Sequence, residues 1–299
     1  MRPLEIRPEA SRLERLVRRL AVPRHRLASP AALAETEAFV ALALEEAGLR
    51  VERQPFGFKG REFHNVVGVL EGTDRLRPIV VVGAHFDSVA GSPGADDNAS
   101  GVAALLELAR WLGRGRFAAT VHFVGFNLEE MQGRVPPVDR IGSRAYVAAL
   151  PSRGLAVRGA FVLEMVGFTG PHQRVPASVR LVRQVPEGGR FLAAIGDGRS
   201  RRLLFAMERA ANDLLPLFPL TVPLRGHLLR DTRRSDHARF WDAGWPALLI
   251  TDTAFLRNPH YHRSTDTPDT LDYSFLCKVI EVVAEAVSET ACGPPSLGP

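Results

Sequence analysis

The run Val80-Val81-Val82-Gly83-Ala84-His85-Phe86-Asp87-Ser88, followed by Pro93-Gly94-Ala95-Asp96-Asp97-Asn98-Ala99-Ser100-Gly101, decides how this chain folds. A short β-branched run reads as a buried strand, and this one ends on a histidine with an aspartate two residues on. A second acidic pair then opens a segment of helical spacing at 100–112. In open α/β sheets, sites form outside the carboxyl ends of the strands. Three later pieces repeat the theme. Leu128-Glu129-Glu130 follows one apolar run, Leu163-Glu164 follows another, and Pro259-His260-Tyr261-His262 precedes Asp266-Thr267. Ligand-type residues arriving piecemeal at strand ends imply a metalloenzyme.

Outward from that core, strand-like runs cover 50–56, 65–70, 79–83, 120–126, 159–163 and 247–251. Helical patterns lie between them at 100–112, about 142–150, 199–214 and 273–289, after two N-terminal helices within 7–48. Ser29-Pro30 opens the second of these, with proline at a tolerated first position. Strands alternating with helices predict an α/β/α sandwich around a mixed, mostly parallel sheet. The motifs begin early and end late, so residues 1–292 are expected to form a single catalytic domain, with 293–299 as a flexible tail. Two stretches break the pattern: the proline-containing 131–141 and the Gly-, Pro- and Arg-rich 167–190. Long loops beside a site shape access to it, so 131–141 is expected to lie over the pocket.

The chain has 299 residues, is 45% hydrophobic and carries a formal charge of +5. The excess is arginine, since lysine occurs only as Lys59 and Lys278. The arginines alternate with acids and form no stripe with interleaved aromatics, which argues against a nucleic-acid partner. No apolar stretch approaches the ~20 residues needed to span a bilayer. The N-terminus shows no secretion signal, and Cys277 and Cys292 read as free thiols. A cytoplasmic protein without a membrane partner is the expectation; oligomeric state is not legible.

Imidazole nitrogen and carboxylate oxygen together suit zinc, and less specifically manganese or cobalt. One carboxylate can bridge two ions, which in two-metal hydrolytic sites lie roughly 3.5–4 Å apart. Two histidines and three carboxylates divide naturally into one His and one acid per ion plus a shared Asp. Asp97, at the turn into a helix, fits the bridge, and Asp87 fits a partner that orients the His85 ring. Adjacent side chains such as Glu129 and Glu130 diverge, so one can face a metal while the other serves as a base.

Other polar residues read as bystanders. His122 sits inside a strand as a core histidine. Ser235-Asp236-His237 has the letters of a serine triad, but consecutive side chains cannot form that relay. Asn98-Ala99-Ser100 matches a glycosylation acceptor but abuts Asp97.

The ordered set Gly83-Ala84-His85-Phe86-Asp87-Ser88, Pro93 to Gly101, Glu129-Glu130, Gly142-Ser143, Leu163-Glu164-Met165-Val166-Gly167, Ser235-Asp236-His237 and Tyr261-His262 with Asp266-Thr267 resembles the di-zinc aminopeptidases of the bacterial leucyl aminopeptidase and aminopeptidase Y type. Glutaminyl cyclases and the transferrin-receptor ectodomain share that fold. The resemblance covers about residues 60–290. It implies two zinc ions, with His85 and Glu164 on one, Glu130 and His262 on the other, and Asp97 bridging. It further implies Glu129 as general base, Asp87 as partner of His85, and Tyr261 as a group that helps bind the tetrahedral intermediate. The implied reaction is hydrolysis of the N-terminal amide of a peptide or aminoacyl substrate by a metal-bridged hydroxide.

Two departures stand out. Glu164 occupies a position where many members carry Asp, which bears on specificity. The segment 131–141 separates Glu129-Glu130 from Gly142-Ser143, which lie closer together in the family. Two alternatives remain: a glutaminyl-cyclase-like acyltransferase with a single zinc, and a non-catalytic receptor-like module that would have no need of a base.

Overall fold

The computed structural model describes residues 7–130, 139–180 and 184–293. Two helices, α1 (Ala10–Leu20) and α2 (Pro30–Glu46), precede a hairpin of β1 (Arg50–Phe58) and β2 (Arg61–Leu70). Then come β3 (Ile79–His85), α3 (Gly101–Leu112), β4 (Val121–Phe126), α4 (Ile141–Ala149) and β5 (Val157–Leu163). A single turn, α5 (Ala177–Arg180), leads to β6 (Leu192–Asp197), α6 (Arg201–Ala211) and β7 (Leu217–Val222). The chain closes with α7 (His237–Asp242), β8 (Ala247–Thr251) and α8 (Tyr273–Cys292).

The eight strands form one sheet in the order β1-β2-β4-β3-β5-β8-β6-β7. Its centre, β4-β3-β5-β8, is parallel throughout, while β1, β2 and the β6–β8 junction add antiparallel pairs. The architecture is the expected mixed, mostly parallel α/β sandwich. Alternation along β3 explains the layers. Val80, Val82 and Ala84 pack on the face covered by α1, α2, α3, α6 and α8, whereas Ile79 and Val81 join Tyr146 of α4 and Trp241 of α7 on the other. Side chains of period two can meet helices on both faces only if nearly every position is apolar.

Strands β6 and β7 have no counterpart in the sequence reading. The first, Leu192-Ala-Ala-Ile-Gly-Asp197, is poor in β-branched residues and low in strand propensity. The second carries Pro219, which a sheet tolerates at an edge, and β7 is an edge strand. No described helix is long and apolar enough to cross a membrane. What matters for the site is direction: β3, β4, β5 and β8 all deliver their carboxyl ends to one side.

Candidate metal centre

His85 is the last residue of β3, and Glu129-Glu130 and Glu164 lie just past β4 and β5. The turn between β3 and α3 supplies Asp97. Its neighbours fix it from behind. Asp96 Oδ1 accepts the N–H of Gly167 at 3.0 Å, and Ser100 Oγ accepts that of Val166 at 3.1 Å. Asn98 donates to the carbonyl of Leu163 at 2.9 Å and accepts from Met165 N–H at 3.0 Å. Alternate residues of Asp96-Asp97-Asn98-Ala99-Ser100 are thus stitched to the loop carrying Glu164. Asn98 is wholly buried, so its glycosylation-like sequence offers no acceptor. Asp266 accepts the N–H groups of Asp96 and Asp97 at 2.9 and 3.1 Å, anchoring the turn to the loop that carries His262. Gly94 enters the turn with φ +59°, and a Cβ there would stand 2.2 Å from the Asp97 carbonyl oxygen.

These anchors bring the five candidate ligands into two groups that share Asp97. In one, His85 Nε2 lies 3.4 Å from Asp97 Oδ1 and 3.3 Å from Glu164 Oε2. In the other, His262 Nε2 lies 3.2 Å from Asp97 Oδ2 and 3.4 Å from Glu130 Oε2. Within each group, one ligand atom per residue lies within 4.8 Å of the others. His260 takes no part: its Nδ1 meets Thr265 Oγ1 at 2.9 Å. His122 Nδ1 meets the Tyr146 hydroxyl at 2.8 Å inside the core, and burial lowers its pKa to about 4.

Asp87 does more than the sequence suggests. Its Oδ1 is 3.5 Å from His85 Nδ1, but both its oxygens also accept backbone N–H groups, from Glu129 at 2.9 Å and Glu130 at 3.1 Å. One carboxylate therefore ties the end of β3 to the Glu pair after β4. The stretch Ser235-Asp236-His237 splits three ways. Ser235 Oγ donates to Glu164 Oε2 at 2.8 Å, and Asp236 is buried beside Ser143. His237 turns away, with Nε2 2.8 Å from the Thr232 carbonyl oxygen.

A further anchor escaped the sequence reading. Arg24, between α1 and α2, is 1% exposed. Its guanidinium donates to the carbonyls of Leu20, Val22, Phe86, Pro93 and Gly94, and its N–H to Ser88 Oγ. Burial lowers its pKa to about 10, so it stays charged at neutral pH.

Acids outnumber bases in this buried space, and the titration behaviour follows. Burial, reinforced by Asp97, raises Glu130 to about 7. Burial also lifts Glu129 well above an ordinary carboxyl; His85 opposes this, and Glu164, Asp236 and Glu130 add to it. Burial works against protonation of His262, yet its hydrogen bonds to Asp97 and Glu130 carry it to about 10. Burial likewise opposes protonation of His85, but Glu164, Asp87 and Asp97 push its pKa upward. Crowded carboxylates with two imidazoles form a donor set that fits divalent cations such as zinc.

Two spaces open beside the clusters. A recess of about 110 Å³ touches Glu164 and is walled by Phe191, Phe218, Leu249, Phe255 and Leu256. Part of its wall comes from Val175 and Val179 in the long loop after β5. A cavity of about 590 Å³ touches Glu129, Glu130 and His262, and four arginines share its lining. Tyr261 lines both spaces and stacks on the His262 ring at 3.7 Å. Of the segment 131–141, residues 131–138 lie outside the described residues. Asp139 and Arg140 border the larger cavity, and Arg140 and Ile141 donate N–H groups to the carbonyls of Glu129 and Leu128.

The chain belongs to peptidase family M28, whose profile matches residues 65–287. It is 33% identical over 253 residues to the uncharacterized protein YfbL of Escherichia coli (strain K12), covering 79% of this chain and 74% of that one. With leucine aminopeptidase 1 of Arthroderma otae it shares 26% identity over 242 residues, 76% of this chain and 58% of that protein. The chain thus spans less than two thirds of that relative's length. The aminopeptidase from Aneurinibacillus sp. strain AM-1 has the same fold: TM-score 0.75, 19% identity, 98% of this chain and 97% of that one.

Proposed function

We propose that this chain is a di-zinc aminopeptidase, with His85 and Glu164 on one ion, Glu130 and His262 on the other, and Asp97 between them. The observation that carries the reading is the placement of the Asp97 carboxylate, whose two oxygens face two different imidazoles at 3.4 and 3.2 Å. A carboxylate placed in this way can bridge a pair of ions spaced as closely as those of two-metal hydrolytic sites. Held by these five residues, divalent cations would supply a Lewis acid for a scissile carbonyl and would lower the pKa of water towards neutrality.

The residues around them divide the remaining work. Glu129 takes the proton of the attacking water and returns it to the leaving amine, and its raised pKa suits a group that must hold a proton between the two steps. Asp87 holds both backbone N–H groups of the Glu pair, so base and ligand keep a fixed relation. The apolar recess beside Glu164 receives the side chain of the N-terminal residue. Tyr261, at the junction of the two spaces, has its phenol pKa raised by burial and neighbouring carboxylates. It stays protonated and can donate to the tetrahedral intermediate.

The test is a screen of the zinc-loaded protein against aminoacyl-anilides and the same peptides with blocked N-termini, alongside metal analysis. Cleavage confined to free N-termini, with close to two zincs per chain, is the expected outcome. A single zinc with cyclisation of N-terminal glutamine would favour the acyltransferase reading instead. Full metal loading without turnover of any substrate would favour a non-catalytic module.

A further inference from the structure

The cavity of about 590 Å³ is asymmetric in charge. The lining that holds Glu129, Glu130 and His262 also holds Arg140, from the start of α4, and Arg230, Arg233 and Arg234, from the turn just before Ser235; of these only Arg234 also borders the recess. Arg140 is tied to Asp139 at 2.9 Å and to the carbonyl of Arg233, and Arg233 to Asp242 at 2.6 Å. Arg234 sits 3.5 Å from Asp231, and its guanidinium lies 4.6 Å above the Phe255 ring. Arg230 is exposed and has no carboxylate partner among the described residues. A guanidinium carries five N–H donors, so even the tied arginines keep donors to spare. The remaining acid on this wall, Asp139, already serves Arg140 and Arg239. Arg140 touches Arg233, which lies in one turn with Arg230 and Arg234, so the four form one basic wall in a lining whose acids number three.

Chemistry decides which part of a substrate meets that wall. Glu129 borders this cavity and not the apolar recess. If Glu129 returns a proton to the leaving amine, whatever is bonded to that amine lies on the Glu129 side. We propose that the arginine wall binds a carboxylate on the leaving half of the substrate, one residue beyond the scissile amide. That carboxylate is either the free C-terminus of a dipeptide or the acidic side chain of the second residue. The proposal rests on the aminopeptidase reading above and adds a substrate preference to it.

The experiment compares four substrates with the zinc-loaded full chain: Leu-Ala, Leu-Ala-amide, Leu-Glu-amide and Leu-p-nitroanilide. At least one carboxylate-bearing substrate should exceed Leu-Ala-amide by about tenfold or more in kcat/KM, carried mainly by KM, as expected for a charge-assisted contact. Preference for Leu-Ala alone assigns the wall to a C-terminus, and preference for Leu-Glu-amide assigns it to a side chain. The double variant Arg230→Gln/Arg234→Gln should bring that ratio towards one, and added salt should act in the same direction. Binding of Leu-Ala to Glu129→Gln protein, read by calorimetry, should weaken about tenfold when the two arginines are also replaced. Equal kcat/KM for all three peptides, with the anilide cleaved, overturns the carboxylate site and leaves the aminopeptidase reading standing. No cleavage of any of the four overturns both.

Discussion

The Ser235 hydroxyl donates a hydrogen bond to Oε2 of Glu164 at 2.8 Å, in a part of the molecule where both residues are buried. That contact sets the direction of a carboxylate whose other neighbour is His85 at 3.3 Å. Replacing a partner that orients a ligand typically costs 10–100-fold in metal affinity or activity. Ser235→Ala should therefore lower zinc affinity by about tenfold while unfolding at nearly the wild-type temperature. Competition with a chromophoric chelator measures the first and circular dichroism the second. Unchanged affinity would remove Ser235 from the site.

Glu129 and Glu130 should respond differently to the same conservative change. Glu129→Gln keeps shape and loses basicity, so kcat should fall roughly 10²–10⁴-fold with zinc content near wild type. Glu130→Gln should lose zinc first. Single-turnover kinetics beside elemental analysis separates the two, and loss of zinc from Glu129→Gln would reverse their roles.

Metal-free protein should lose stability as pH rises. Glu130 and Asp236, both raised to about 7 by burial, titrate near 4.5 and 3.8 when unfolded. Over that interval the folded chain holds protons that the unfolded chain has released, so their contribution is complete below the unfolded values and lost by about pH 7. His262, at about 10 when folded against 6.5, extends the loss upward. Zinc bound to Glu130 and His262 would take the place of their protons, so the Tm difference between loaded and metal-free protein should widen from about pH 5 to about pH 8. A difference that narrows over that range would contradict the assignment.

Gly142→Ala tests the junction between the Glu pair and α4. A Cβ at this position would stand 2.2 Å from the Asn127 carbonyl oxygen and 2.4 Å from Asn65 Oδ1. Both belong to a buried network in which Asn65 also donates to the Gly142 carbonyl at 2.9 Å. The substitution should cost about 1–3 kcal/mol, the usual range for overpacking, measured by urea unfolding. It should also lower kcat, because Glu129 and Arg140 are paired across the same junction.

What could be read from the sequence was whatever leaves a local pattern. The β-branched run before His85 and the spacing of Asp96-Asp97-Asn98-Ala99-Ser100 announced a central strand and the turn that carries Asp97. This end of the sheet was illegible because Pro219 and the alanines of Leu192–Asp197 carry little strand signal, and it is pairing with β8 on one side and β7 on the other that makes β6 a strand. Within the site, chemistry that side chains perform on their own was visible, and chemistry that needs a distant partner was not. Ser235, Asp266 and Arg24 act on groups far away in sequence. Arg230, Arg233 and Arg234 sit among Asp231 and Thr232 like the other scattered arginines, and nothing local ties them to the cavity beside Glu129.

The buried guanidinium of Arg24 bears on where this fold begins. The match to the family profile starts at residue 65, yet the carbonyls of Phe86, Pro93 and Gly94, which flank the turn holding Asp97, are gathered by a residue well upstream of that border. β1 also lies upstream and pairs with β2 along its whole length. A fragment cut at the border would keep every candidate ligand and lose the positive charge around which the segment from Phe86 to Gly94, just before Asp97, is wound.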